Sequence, residues 1–424
     1  MQRLLEEFRH FRTYPHDMRV MLLTNGLYAF VIPVINIFVA AYVMGKSKDV
    51  TLVVAYQLAV YAGIPVMFYG NGFLLRYVNI KQLYSLGMLL SGAALVALMM
   101  LGSLDLVGVA TVGLLMGLAA AVVWANRFYL VLSATNDTNR NYFYGLENFF
   151  FMTTSVLVPL AAGWFIVGTE REGWLGGSRD HAYYALTAAA FLLIIMASLL
   201  VQTGHFVNPP RTKFVYFRFH SLWNQMQLLA VFKGLAQGYV VTAPAMLIMQ
   251  VAKGKEGALG TAQSVGGIVS ALILYAIGRM AQPRHRLAIF ALGLTLFAAG
   301  GLWNALLFNA VGVCLYIICQ LAACPLLDLA YSPIQMRVTE TVAALEKRNQ
   351  LTYICNHELG LFVGRAAGCG LFLVLANCTT AGPKGEFALR YSLLIIGVLQ
   401  MFCLLVARTI LKTMAALHAG DARS

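Results

Sequence analysis

HFVNPPRTKFVYFRFH, residues His205 to His220, is a polar, basic interruption in a chain otherwise built from long apolar runs. About 20 residues at a 1.5 Å rise cross about 30 Å of hydrocarbon. On that ruler, spans are expected near 18–44, 51–75, 83–102, 106–133, 142–168 and 183–202 before the interruption. Six more are expected after it, near 223–250, 257–278, 287–308, 311–335, 350–377 and 388–411. Pro33, Pro65, Pro159, Pro244, Pro325 and Pro333 fall inside these runs, which membrane helices tolerate. The expectation is an all-α polytopic membrane protein with 12 transmembrane helices in two pseudo-symmetric six-helix bundles. An amphipathic cytoplasmic segment 1–17 precedes the bundle 18–202. A basic cytoplasmic linker 203–222, a second bundle 223–411 and a cytoplasmic tail 412–424 follow.

Composition agrees. Of 424 residues 60% are apolar and 11% are charged, and mean hydropathy is +0.74. Soluble domains carry about 25% charged residues, so this chain could not dress a water-facing surface, and disorder, collagen and coiled coil are excluded as well. The net charge of +13 sits in short loops rather than on a nucleic-acid patch, and no phosphate-cradling loop, zinc spacing or nucleophile elbow appears. Nineteen of the 30 Lys and Arg fall in the termini, the linker and alternate loops, against eight in the opposite loops. That asymmetry predicts cytoplasmic termini and linker, in a multi-pass protein of the bacterial inner membrane. The charged stretch RLLEEFRHFRTYP near the start does not read as a signal peptide. Seven cysteines, at 314, 319, 324, 355, 369, 378 and 403, read as small hydrophobes within apolar runs.

A repeat is visible at an offset of 208 residues. Gly26-Leu27 matches Gly234-Leu235, and Gly70 and Arg76 match Gly278 and Arg284. Arg140-Asn141 with Asn148 matches Arg348-Asn349 with Asn356. Two six-helix halves, cytoplasmic termini and a basic central linker resemble the major facilitator superfamily. Of its loop motif G-x-L-x-D-R-x-G-R-K, the stretch from Gly72 to Lys81 keeps the glycine, the leucine and the final lysine, while Arg76 replaces the acid. The antiporter-type G-P-x-x-G-G is reduced to Pro159 and Gly163. The resemblance implies a secondary transporter working by alternating access, with spans 1, 4, 7 and 10 lining a central cavity.

Ionisable groups within spans are expensive and therefore candidates for function. The acids Glu147, Asp328 and Glu358, with His357, are the candidate proton-coupling residues. The bases Arg365, Lys233 and Arg127 are candidate contacts for an anionic substrate, with Asn25, Tyr28, Asn36, Trp124, Gln237, Tyr239 and Tyr331 as lining. Arg365 lies about 15 residues into its span, near mid-membrane. Glu358 shares its helix face two turns away, about 10 Å along the axis, which suggests a bridging substrate, water or Asp328. The run Cys355-Asn-His-Glu358 does not read as a metal site, because adjacent helical residues do not converge on one ion. No cofactor is expected.

The expected function is proton-coupled movement of a small anionic organic solute by a monomer in the lipid bilayer, without nucleic acid. The alternatives are an exporter of amphiphilic drug, siderophore or lipid-like cargo, a lipid-modifying membrane enzyme, or a non-transporting receptor. The chain is not expected to be an enzyme, since no H-E-x-x-H or paired-Asp motif stands in a span.

Overall fold

The computed structural model describes residues 11–135, 140–208, 215–251, 256–280, 285–377 and 385–421, and their long regular elements are all helical. The first is α1 (His16–Ser47), which passes through a π-helical turn at Val34–Phe38. Then come α2 (Val50–Leu74), α3 (Ile80–Met100), α4 (Leu106–Ala134), α5 (Arg140–Glu172) and α6 (Arg179–Gln202). Next is α7, built of Ser221–Val240 and Ala243–Val251 with a short break between. It is followed by α8 (Glu256–Met280), α9 (Arg286–Leu307), α10 (Ala310–Glu346) and α11 (Gln350–Asn377). The last, α12, consists of Glu386–Gln400 and Phe402–Asp421. Eleven of these helices are long and apolar enough to cross a membrane. In α8 the apolar part is the shorter Gly260–Ile273. The chain is a multi-pass membrane protein.

The helices overrun the expected spans most at the end of α10, by the segment Met336–Glu346, and at the end of α12. A hydropathy ruler stops where charge begins, whereas a helix continues into water as long as its backbone bonds are made. The segment 1–10 and Lys213, Lys253, Arg284, Cys378 and Lys384 lie outside the described residues.

Helix pairing carries the duplication further than the sequence does. α1 packs on α5 and α6, α2 on α4, and α3 on α4 and α6. Adding six to each label gives α7 on α11 and α12, α8 on α10, and α9 on α10 and α12, and all of these pack too. The extensive cross-contacts between the two sets are α2 with α11 and α5 with α8, which the same rule interchanges. Pro159 and Gly163 sit in the second seam: a Cβ on Gly260 of α8 would strike the Pro159 carbonyl. Beside it, the Ser264 hydroxyl donates to the Val156 carbonyl at 2.6 Å.

Small residues set the tightest of these contacts. α7 carries Gly234 and Gly238, and α11 carries Gly360, Gly364 and Gly368, each four residues apart, so both backbones approach along one stripe. A Cβ at Gly364 would collide with the Val231 carbonyl, and one at Gly238 would lie 2.8 Å from the Arg365 carbonyl. Gly364→Leu is therefore expected to force the two helices apart. The check is size-exclusion elution of the detergent-purified protein, which should shift from a single peak to aggregate.

The flanks of the linker are each tied to the nearer set of helices. Asn208 donates to the carbonyls of Leu75 and Val78 at 3.0 Å and accepts from the Ile80 N–H at 2.8 Å. Across the undescribed 209–214, Arg348 donates to the Arg218 carbonyl at 2.6 Å, pairs with Glu346 at 3.1 Å and stacks on Tyr216. The motif from Gly72 to Lys81 contributes here: Lys81 donates to the carbonyls of Gln202 and Gly204 at 3.0 Å, closing the end of α6.

Candidate functional site

α1 and α7 both lose regularity at places that the 208-residue offset equates. Pro33 precedes the π turn of α1, and the 208-residue offset carries it to Val241, inside the break of α7. The cause in α7 is Pro244, which has no N–H for the Val240 carbonyl four residues back. The freed carbonyls are met from neighbouring helices. Tyr61 of α2 donates to Gln237 at 2.8 Å, Cys369 of α11 to Gly238 at 3.0 Å and Gln320 of α10 to Val240 at 3.2 Å. Interrupted helices at matching places of two repeats mark the midplane site in many transporters. Beyond the interruptions, the far ends of α1 and α7 touch, with Gly45 against Met249.

Among α1–α6, one charge cluster is built around the buried Glu147. Arg127 of α4 pairs with Glu147 of α5 through both Nε, at 3.1 Å, and Nη2. Asn25 of α1 donates to the same carboxylate at 2.6 Å, and Tyr84 of α3 donates to the Asn25 carbonyl oxygen at 2.7 Å. Glu147 is 1% exposed and Asn25 2%, so α1, α4 and α5 meet on a buried carboxylate, which α3 reaches through Asn25. Arg127, near the end of α4, turns to Glu147. Its guanidinium lies over the Trp124 ring at 5.5 Å. There it borders a cavity of about 190 Å³ shared by Phe68 and Asn71 of α2, Tyr129 of α4 and Cys355 of α11.

Among α7–α12 the charges are arranged differently. Lys233 of α7 pairs with Asp328 of α10 at 2.8 Å and lies over the Tyr331 ring at 4.0 Å. The Asp328 side chain is 62% exposed, the most open carboxylate of the three span acids. Tyr331, buried beneath, shares a 2.6 Å hydrogen bond with His357 Nε2 of α11. Arg365 is held from three sides: Gln237 Oε1 accepts from its Nε and Nη2 at 3.0 and 2.9 Å, Glu358 lies 3.5 Å from Nη1, and the Tyr61 ring lies 4.8 Å away.

Two sequence expectations are corrected by this arrangement. Glu358 and Arg365 meet without a bridge, because two extended side chains reach across two turns although their Cα atoms cannot. Asp328 does not fill that gap, because Lys233 holds it. The other expected lining residues divide. Asn36, in the π turn, is exposed, Trp124 is 41% exposed and Gln237 is half-buried. Tyr28 is buried with its hydroxyl donating to Ser91 of α3, and Tyr239 is buried against Phe372.

Sequence reasoning passed over Asn71 and Asn126, buried on α2 and α4, whose amides exchange hydrogen bonds at 3.0 and 2.7 Å. It also passed over Trp223 and Gln227, both of which donate to Asn356. Polar side chains within apolar runs were the available signal. Asn356, the repeat residue, thus ties α11 to α7, while the side chains of its partners Arg140, Asn141 and Asn148 lie outside the described residues.

No family model matches the chain. An uncharacterized protein of Bacillus subtilis (strain 168), YqgE, is 23% identical over 381 residues, which is 89% of this chain and 86% of that protein. A bacterial homologue of the human drug peptide transporters PepT1 and PepT2 superimposes with a TM-score of 0.67 at 14% identity, covering 95% of this chain and 99% of the other. The nucleoside transporter NupG does so with a TM-score of 0.66 at 10% identity, covering 94% and 100%. The chain has the major facilitator fold that its sequence resembles.

Proposed function

We propose that the protein is a secondary transporter in which α1–α6 and α7–α12 rock against each other around the Lys233–Asp328 pair. The pairing rule supports two equivalent six-helix units with α8 as the twelfth span, and the basic linker joins them on the cytoplasmic side. One observation carries the reading of the site: the carboxylate of the first pair, Glu147, is buried, whereas that of the second, Asp328, is open. An ion pair open to water can exchange partners. A carboxylate or phosphate of the substrate takes Lys233 as Asp328 releases it, and a proton on Asp328 removes its claim on the lysine. Binding of an anion and uptake of a proton then favour each other, which is the requirement for proton-coupled transport. In this reading Arg365, Gln237, Asn36, Trp124 and Arg127 supply further contacts for the substrate.

The test begins with thermal unfolding of the purified protein against panels of organic acids, phosphorylated metabolites, siderophores and drugs. A ligand raises the melting temperature by mass action. Stabilisation by anions in wild type, lost in Lys233→Ala, is the expected result. Stabilisation by uncharged amphiphiles alone removes the anion assignment and leaves export of such cargo. Counterflow of the identified ligand in proteoliposomes then separates a carrier from a receptor or a lipid-modifying enzyme. Topology is checked in a cysteine-free background, where a cysteine at exposed Lys347 should label from the cytoplasm and one at exposed Lys48 only from outside.

A further inference from the structure

Three side chains at the linker end of the molecule have no part in the site above. His16 and Asp17 open α1, immediately after Pro15 and before the first full turn is formed. His205 lies just past the end of α6, where the chain leaves for the linker. Asp17 Oδ1 accepts from the His205 backbone N–H at 2.8 Å, which fixes the two segments side by side. Nδ1 of His16 lies 3.6 Å from that oxygen and Nδ1 of His205 lies 3.9 Å from it. The imidazole centroids are 5.9 Å apart, and one ligand atom from each residue falls within 4.8 Å of the other two.

From this juxtaposition we infer that His16, Asp17 and His205 form a site for a divalent transition metal, of which Zn²⁺ is the best match. The donor set decides the class. Two imidazole nitrogens and one carboxylate oxygen suit Zn²⁺ and its neighbours rather than Mg²⁺ or Ca²⁺, which take oxygen. Bonds of about 2.0–2.2 Å in a tetrahedron place ligand atoms about 3.3 Å apart. The observed separations therefore need only modest side-chain rotation. Neighbouring residues diverge within a regular helix, but at its first residue the His16 Nδ1 and Asp17 Oδ1 atoms already lie 3.6 Å apart. The start of a helix carries partial positive charge and opposes a cation. Lys81, bound to the Gly204 carbonyl beside His205, adds to that opposition. Asp17 supplies the compensating negative charge. Both imidazoles are solvent-accessible, with side-chain exposures of 51% and 87%, so metal can enter and a fourth position stays open to water. A bound ion would staple the first residues of the linker to the base of α1.

The experiment uses tag-free, chelator-treated full-length protein in detergent, with Zn²⁺ titrated by calorimetry and Co²⁺ by its visible absorption. One equivalent of Zn²⁺ and an intense Co²⁺ band of tetrahedral type are expected. His16→Ala and His205→Ala should each weaken Zn²⁺ at least about tenfold. His181→Ala, at the other end of the molecule, should leave it unchanged. Metal-free melting temperatures of the three variants should equal that of wild type, so that a loss of binding is not a loss of fold. No saturable uptake by wild type, or equal uptake by the His16→Ala/His205→Ala double variant, overturns the site. The readout does not involve transport, so it stands or falls independently of the function proposed above.

Discussion

Glu147→Ala is expected to lower the folded yield and the melting temperature more than removal of either Asp328 or Glu358. The change leaves the Arg127 guanidinium inside the first unit with no carboxylate, and it takes the acceptor from Asn25, whose carbonyl oxygen is already engaged by Tyr84. Breaking one member of a buried pair costs about 3–5 kcal/mol, because the surviving charge remains desolvated. Glu147→Gln keeps an acceptor for Asn25 and should fall between. Replacing both members together, as Arg127→Leu with Glu147→Leu, removes the stranded charge and should recover most of the loss. Melting of the detergent-purified variants, followed by size-exclusion, reads this directly. If Glu147→Gln folds like wild type yet loses gradient-driven accumulation, the carboxylate is a proton carrier and not a tie between helices.

The sequence made the placement of eleven apolar helices legible, because crossing a bilayer constrains length and polarity together, whereas the apolar part of α8 is only Gly260–Ile273. It also revealed the duplication through Arg348, Asn349 and Asn356 and their partners 208 residues earlier. What it hid was partnership. Lys233 and Asp328 are 95 residues apart, and nothing local to either specifies the other. Arg127 and Glu147 are only 20 apart, yet they stand on different helices, α4 and α5, and spacing alone does not predict that they meet. Lys233 and Arg127 are both partly buried, but Lys233 meets the exposed Asp328, whereas Arg127 closes on the buried Glu147 and borders the cavity. The α7–α11 glycine stripe was written plainly, as Gly234 and Gly238 against Gly360, Gly364 and Gly368, and it fixes Arg365 beside Gln237. Reading it required knowing which helices pair.

Asp328→Asn is expected to abolish gradient-driven accumulation of the transported anion while exchange across the membrane survives. Exchange needs binding and rocking but no net proton release, and the amide that replaces the carboxylate can still accept a hydrogen bond from Lys233. It can no longer hold a proton against the lysine's charge. The accumulation ratio in proteoliposomes with an imposed pH gradient should fall to about one, with counterflow reduced only a few-fold. Lys233→Ala is the complementary case. It deletes the cation that the substrate and Asp328 share, so binding should weaken by about 10-fold to 100-fold, the range of a hydrogen bond to a charged partner. Accumulation should then be lost together with exchange. Arg365→Lys keeps charge but loses the planar fork that grips Gln237 through two nitrogens. It should weaken binding less than Lys233→Ala, because Glu358 and Gln237 already occupy part of the guanidinium. Full accumulation by Asp328→Asn would transfer coupling to Glu358 or His357. A Lys233→Ala protein that binds the anion as wild type does would transfer substrate recognition to Arg365. The split between accumulation and exchange distinguishes an acid that carries the proton from a pair that merely joins α7 to α10, since loss of a helix tie would depress both rates alike.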